Sequence, residues 1–412
     1  MMKRLFISSL LALSTSVQAL ETVNPPGLLP TEIARPLLEQ DPSVAAARAG
    51  LNVALEEAGI LDKSPYEWVA RATGQQRRVE NGSNYNEWNV GIEHGIRLPS
   101  KAVVDRNLGK LAIEESQAAY GEALHEAALD LVALWLDWLG AENGLKLAES
   151  NLLSVRENLT SVEKRVRAGD ASKLDVNIAQ AELAEHKRLA NDAKTQASAT
   201  WSRLSTRFSG VRREVIMMPT PAQIGEDLAP WKERIIFESD ELKISQVKMR
   251  IAQANADRAR ANEVPDPTIG LYTASEIGGR ERLSGIAISI PIPGGLRDSR
   301  SAKAVSEVEV SRQEVEITRR QLESAIASAI VTAQGTYDSV QIAREGTASM
   351  QENASLMQRA YSLGEAELQA LLLSRRQATA AMNNSLQAQV AALKAYYGLL
   401  VDAHLIWDLA HD

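Results

Sequence analysis

The chain has 412 residues, a formal net charge of -8 and a sequence pI near 5.4. This acidic balance, without a basic stripe, argues against a protein that binds nucleic acid. The absence of cysteine from the sequence excludes disulfide bonds and lipid attachment through a terminal cysteine. Beyond the N terminus no stretch approaches the roughly 20 apolar residues of a membrane helix. A membrane span, if the mature chain has one, must therefore consist of strands.

Residues 1–19 carry Lys3 and Arg4 near their start, continue through a short apolar run and end in Val17-Gln18-Ala19, which suits signal peptidase. This order predicts a cleaved secretory signal, so that the mature chain starts near Leu20 and carries no lipid anchor. Several prolines then predict an extended N-terminal segment over residues 20–36. An exported protein without disulfides must be stabilised by packing or by assembly.

The remaining sequence contains one pattern twice. Leu98-Pro99 corresponds to Ile292-Pro293 at an offset of 194, and Gly169 corresponds to Gly364 at an offset of 195. Such repeats define the organisation of a chain before any local motif is interpreted. The predicted units are a first repeat at residues 37–209, a linker at 210–236, a second repeat at 237–400 and a C-terminal tail at 401–412.

Each repeat is predicted to contain a helix, two strands, a very long helix, a glycine turn and another long helix. Residues 101–168 contain no proline and carry small or apolar residues at helical spacing. A continuous helix of that length would extend about 100 Å. In the second repeat Val315, Leu322 and Ala329 are spaced as in a coiled-coil seam. Such helices cannot form one compact core and must lie lengthwise against their neighbours.

The glycines Gly169 and Gly364 predict where the long helices end, because glycine readily adopts the left-handed cap conformation. Basic residues in the last turn before Gly169 also interact favourably with the helix dipole. Ser172 and Asp175 then have the spacing of a capping box, which starts the next helix. Each repeat should therefore form a hairpin of long helices that bends at its glycine.

Four segments alternate apolar and polar residues with the period of a β-strand, at residues 66–78, 86–98, 267–275 and 283–292. Their length of roughly ten residues fits strands that face lipid in a barrel. Two soluble hairpins packed on helices would show the same alternation, and their aromatics would then be ordinary core residues. The predicted membrane-interface aromatics are Tyr66, Trp68, Tyr85, Trp88 and Tyr272.

Four strands cannot close a membrane barrel by themselves. Membrane barrels begin at about eight strands, and open sheet edges are not tolerated in lipid. Closure therefore requires at least two chains, and three chains would supply twelve strands.

The duplicated pattern resembles the TolC family of outer-membrane efflux and secretion ducts over nearly the whole mature chain. The resemblance rests on the duplication, on the two strand pairs that end in proline, and on residues 167–176, which are similar to the family's G-x-x-S-x-L-D-V turn. Residues 64–68 and 97–101 are similar to the heavy-metal (cobalt-zinc-cadmium) branch of that family.

The resemblance implies a fold that is mainly α with a small β part. Duplicated coiled-coil hairpins would form an α-barrel across the periplasm, and four strands per chain would contribute to a trimeric, twelve-stranded β-barrel in the outer membrane. It also implies a tripartite efflux channel for heavy-metal cations, with a multidrug or type I secretion duct as the alternative. The implied partners are a second and third copy of the chain, a periplasmic adaptor, an inner-membrane pump of the RND type and outer-membrane lipid.

In relatives the periplasmic entrance and the adaptor-docking sites lie at the helix turns. The best-known member has acidic residues six and nine positions after its second glycine, where this sequence has Ala370 and Leu373. An arginine of its closing network is replaced here by Ala366. Asp175 and Lys173 are the remaining charged entrance candidates, and Asp175 also has the position of a helix cap, so one residue could do both. The implied docking residues are Ala168, Gly169, Asp170, Leu363, Gly364 and Glu365.

The sequence gives little support for other chemistry. Its five histidines and eight methionines form no ligand pair at helical spacing, and His404 and His411 are expected at the surface. No nucleophile and base, phosphate loop or paired carboxylates suggest an enzyme, and no cofactor is predicted. A soluble periplasmic adaptor or a coiled-coil scaffold would also explain long helices. An adaptor would contain one hairpin rather than two, and a scaffold would not require alternating strand pairs.

Overall fold

The computed structural model describes residues 24–214, 217–225 and 227–409. The predicted signal sequence lies outside the described residues, and so does His411. The helices are α1 (Thr31–Glu39), α2 (Pro42–Asp62), α3 (Pro99–Ala168), α4 (Lys173–Arg207), α5 (Ala229–Glu238), α6 (Asp240–Ala261), α7 (Gly295–Leu363) and α8 (Leu368–Asp402). The strands are β1 (Trp68–Arg77), β2 (Tyr85–Gly95), β3 (Thr268–Glu276) and β4 (Glu281–Ser289).

The two long helices confirm the duplicated pattern. Helix α3 has 70 residues and α7 has 69, so each extends about 105 Å. Helix α3 begins at Pro99, two residues before the expected start, because proline suits the first turn, where its missing N–H has no intrahelical partner. In the described ranges, no helix has both the length and the apolar character needed to cross a membrane.

Each repeat folds into a hairpin, and the two hairpins lie side by side. Helix α4 packs along α3, and α8 packs along α7. The shorter helices α2 and α6 pack on α3 and α7, while α3 also contacts α6 and α8 and so joins the repeats.

The largest hydrophobic core lies in the middle of the long helices. The rings of Trp135 and Trp138 are 5.0 Å apart, and those of Trp138 and Trp201 are 5.1 Å apart. Both ends of the described chain are fixed there, since Trp135 Nε1 donates to Gly27 O and Trp407 Nε1 donates to Leu29 O, each at 2.8 Å. The segments at both ends of the described chain therefore pack against the long helices halfway along their length.

Packing onto this core gives three segments bounds that differ from the predicted ones. The segment expected to be extended contains α1, whose Ala34 and Leu38 are fully buried. Burial of that apolar face outweighs the cost of Pro36 inside the helix. The predicted linker contains the start of α5, and α8 continues into the predicted tail. His404, expected at the surface, is only 8% exposed because the tail folds back onto the core.

The four strands form one antiparallel sheet in the order β1-β2-β3-β4. Trp68 pairs with His94, while Tyr272 pairs with Gly91 on one side and Gly285 on the other. Strand ends differ from the predicted ones by one to three residues. At the junction with the helices, β1 begins after Pro65 and β4 ends before Pro291, because proline cannot donate to a ladder. The predicted fold class, mainly α with two long hairpins and a small four-stranded part, is confirmed.

Candidate functional sites at the helix turns and the sheet

The first turn ends α3 with a Schellman motif. Gly169 has φ 84° and donates its N–H to Val166 O at 3.1 Å, while Asp170 N–H donates to Arg165 O at 2.8 Å. These bonds satisfy carbonyls that have no partner within the helix. The side chain of Asp170 and the backbone of Gly169 are exposed at the tip of the hairpin.

The second turn repeats this geometry with different side chains. Gly364 has φ 79° and donates to Tyr361 O at 3.1 Å, and Glu365 N–H donates to Ala360 O at 2.9 Å. Leu363, just before the glycine, is 65% exposed. Six residues predicted for docking therefore lie at two matching, accessible tips.

Asp175 is part of a complete capping box at the start of α4. Its N–H donates to Ser172 Oγ at 3.2 Å, and its Oδ2 accepts from the Ser172 N–H at 2.9 Å. The capping role is thus observed, while an additional electrostatic role at an entrance stays a prediction. Lys173 is exposed beside it on the first turn of the same helix.

The second pair of entrance candidates lies on α8. Ala370 is half-buried, and Leu373 is 58% exposed. Their neighbours Leu371 and Leu372 are buried in a small core with Val162 and Tyr361. This core joins the two hairpins close to their tips.

Two polar contacts also join the hairpins there, and sequence reasoning missed both. The Arg165 guanidinium lies 4.7 Å from the centre of the Tyr361 ring. Arg376 Nε lies 3.0 and 3.1 Å from the two carboxylate oxygens of Glu182, which is only 3% exposed. The two charges are 194 residues apart and form no local sequence pattern, so the pair is visible only in the structure, where the side chains of α4 and α8 meet.

One face of the sheet is exposed and apolar. Its register places Ile92 beside Leu271, and Leu271 beside Ile286. These three side chains are 49%, 56% and 69% exposed, respectively. A contiguous exposed apolar surface of this kind is typical of contact with lipid or a partner.

Only two of the predicted interface aromatics lie on that face. Trp68 is 70% exposed and stacks on His94 at 4.7 Å near the helix end of the sheet. Trp88 lies on the same face, six residues before His94 along β2. Their interface role stays a prediction.

The other aromatics occupy different positions. Tyr85 and Tyr272 project from the opposite face, because their positions alternate with those of Trp88 and Leu271. The Tyr272 ring crosses Gly285, where an added Cβ would lie 2.7 Å from Tyr272 Oη. The predicted aromatics therefore do not share one face of the sheet, and whether all five mark a membrane interface stays a prediction.

The face that carries Tyr272 is lined by ion pairs. Arg71 contacts Glu93 at 2.8 Å, and Arg77 contacts Glu87 at 2.8 Å and Glu276 at 3.1 Å. Opposite charges on neighbouring strands stabilise the pairing of the strands. The sheet thus has one apolar face and one charged face.

A buried polar network holds the sheet on the helices. Asp266 accepts hydrogen bonds from Tyr66 Oη at 2.7 Å and from the Leu98 N–H at 3.0 Å, and its Oδ1 lies 3.0 Å from Lys101 Nζ. Tyr66, Leu98 and Lys101 belong to the two short segments that suggested the heavy-metal branch. Their observed contacts give these segments a role at the junction of sheet and helices.

Two histidines in the described part of the chain, His125 and His404, lie close together. Among the described residues, no group of three histidine or acidic side chains is placed to bind a metal ion. His125 Nε2 instead lies 3.0 Å from Asp402 Oδ1, and the rings of His125 and His404 are 5.9 Å apart. This pair links α3 with the end of α8.

Comparison with known proteins places these features in a family. The chain is 26% identical to Protein CyaE of Bordetella pertussis over 310 residues, which are 70% of this chain and 65% of that protein. The chain thus matches less than two thirds of the length of that relative.

Two solved structures share the fold. The Campylobacter jejuni CmeC outer membrane channel gives a TM-score of 0.75 at 15% identity, over 100% of this chain and 96% of that chain. CusC gives a TM-score of 0.73 at 16% identity, over 90% of this chain and 91% of that chain. The family model described as Outer membrane efflux protein matches residues 34–207 and 233–400, which together are most of the sequence. The chain therefore belongs to the outer membrane efflux protein family.

Proposed function

We propose that the chain is the outer-membrane duct of a tripartite export system and works as a homotrimer. The two-faced sheet at one end of two long hairpins carries this proposal. Its apolar face suits lipid, its charged face suits a water-filled lumen, and its edge strands β1 and β4 need partners in a membrane. Three copies would give twelve strands, and the helices would continue the duct through the periplasm.

The surface of α7 supports assembly along the helices. Val310, Ile317, Val331 and Ile342 are each more than half exposed in the single chain. Exposed apolar side chains spaced along one helix favour contact with a neighbouring chain. The trimer would bury them between hairpins of adjacent copies.

The exposed turns are the proposed contacts with a periplasmic adaptor, which would connect the duct to an inner-membrane pump of the RND type. Both turns combine a rigid glycine cap with exposed side chains, here Asp170 and Leu363. Rigid turns let a partner bind without a large cost in chain ordering. Adaptor binding should therefore respond to changes in these side chains.

For the cargo we propose heavy-metal cations, on the resemblance of residues 64–68 and 97–101 to the metal branch. Growth of a deletion strain tests this choice across zinc, cobalt, cadmium, copper, dyes, detergents and antibiotics, with the wild-type gene restored as the control. Sensitivity confined to metals would support it. Sensitivity to amphiphiles, or a defect in protein secretion, would replace it with the multidrug or secretion alternative.

Membrane fractionation tests the duct itself. Extraction of a trimer from the outer membrane by detergent, with channel activity in planar bilayers, is the expected result. Release of the protein with the soluble periplasmic fraction would instead support the adaptor or scaffold hypothesis.

The proposed entrance role of Asp175 has a matched control. Asp175→Asn removes a charge and part of the capping box, whereas Ser172→Ala removes part of the box without changing charge. Reduced cation preference in Asp175→Asn alone would support entrance electrostatics. Equal loss of stability in both variants, with unchanged selectivity, would leave only the cap.

A further inference from the structure

A polar cavity of about 250 Å³ lies between the two hairpins of a single chain. Residues from α3, α4, α7 and α8 line it, so both repeats contribute. Arg375 lies eleven residues after Gly364, which places the cavity about 16 Å from the second turn along α8. Asn151, Gln351 and Thr379 add polar side chains to its wall.

Arg375 differs from the other residues of the cavity wall because one of its buried donors has no partner among the described residues. Its Nη2 donates to Gln358 Oε1 at 2.5 Å, whereas its buried Nη1 has no hydrogen-bond partner among the described residues. A buried donor without a partner costs free energy, and a charged one costs more. Burial lowers the pKa of the Arg375 guanidinium, and attraction from Glu157 opposes this shift.

The carboxylates near Arg375 do not neutralise it fully. Glu182 accepts hydrogen bonds from Arg376 and also lies 3.4 Å from His186. Glu157 is exposed to solvent, where water weakens its attraction. Of the charged residues in the cavity wall, Arg375 is positive and Glu182, which pairs with Arg376, is negative, and the amide and hydroxyl groups beside them can donate.

We propose that this cavity binds a small oxyanion of the size of phosphate. Arg375 Nη1 would donate to it, and the amides of Asn151 and Gln351 would supply donors from the facing helices. A charge-assisted bond to an anion is stronger than a bond to water. The bound anion would tie α3 and α7 to α8 above the turns and stabilise the packing of the two hairpins.

Inorganic phosphate is the probe that tests the site on the full-length protein in detergent. Thermal unfolding is followed as phosphate replaces gluconate at constant ionic strength. The wild type should show a saturable rise of the unfolding temperature, and Arg375→Gln should abolish it. Arg359→Gln, which removes an exposed arginine of α7, should retain the wild-type response.

Calorimetric titration of phosphate into the wild type provides a measurement that does not depend on folding of a variant. Saturable binding in the wild type, weakened at least about tenfold in Arg375→Gln, supports the site. Absence of binding heat and of any phosphate effect in the wild type would overturn it. An equal phosphate response in the wild type and Arg375→Gln would also overturn it.

Discussion

Lys101 shows how one residue can hold the sheet on the helices. It is only 1% exposed, and its Nζ contacts Asp266, which has two further hydrogen-bond donors. Such a network is favourable only while every member keeps its partners. Removing one charge leaves the other buried and unpaired.

We therefore expect Lys101→Met to destabilise the protein by about 3–5 kcal/mol. Lys110→Met is the matched control, because Lys110 is exposed on the same helix and its loss should change stability by less than about 0.5 kcal/mol. Denaturant unfolding of the detergent-solubilised protein measures both. Equal effects of the two substitutions would contradict a structural role of the buried pair.

His125 makes stability depend on pH. Burial by itself lowers the pKa of His125, but the hydrogen bond to Asp402 and the charges of Asp402, Glu122 and Asp240 together raise it above its usual value. Because the pKa is raised in the folded state, the stabilisation is complete below about pH 6.5 and is lost as pH rises through the folded-state pKa.

His125→Gln should therefore cost more stability near about pH 5.5 than near about pH 8.5. Unfolding temperatures of the wild type and the variant at both pH values give the comparison. In an Asp402→Asn background the dependence on pH should shrink, since the main partner is neutral. A cost of His125→Gln that does not change with pH would show that the imidazole contributes packing alone.

Each of the two glycine turns ends a helix of about 105 Å. A Cβ built on Gly169 or Gly364 would meet no atom within 4 Å in the described part of the chain. Only the left-handed backbone therefore opposes alanine. Each of Gly169→Ala and Gly364→Ala should destabilise by about 1 kcal/mol.

Gly335→Ala distinguishes this backbone effect from a general effect of alanine. Gly335 lies inside α7, where an added Cβ also has open space among the described residues. There alanine should stabilise by about 0.5–1 kcal/mol. Thermal unfolding of the three variants measures the contrast. Stabilisation at the turns as well would contradict the assigned strain.

Sequence patterns predicted the helices and strands more completely than they predicted the contacts between these elements. Absence of proline and the two glycines predicted both hairpins, because these signals act on the local backbone. Helix α1 was missed, since its Pro36 suggests a break while burial in the central core, invisible in the sequence, stabilises the helix. Alternation predicted the strands and which residues of one strand share a face, but which faces of neighbouring strands coincide follows from their pairing.

In the whole molecule, the contacts between the two hairpins run along α3 and α8 and include two hydrophobic cores. A core at mid-height joins the helices and both chain ends, and a small core with Tyr361 joins the tips. Between these cores lies Arg376, paired with Glu182. Loss of a contact between two packed elements can let them shift relative to one another.

The Glu182–Arg376 pair should therefore help to keep the proposed entrance narrow. Arg376→Glu places two negative charges together, which should separate α4 from α8 and raise single-channel conductance in planar bilayers. The double variant Glu182→Arg/Arg376→Glu restores opposite charges and should return conductance toward the wild-type value. Arg188→Glu, an exposed substitution on α4, is the control. Wild-type conductance in Arg376→Glu would place the constriction elsewhere along the duct.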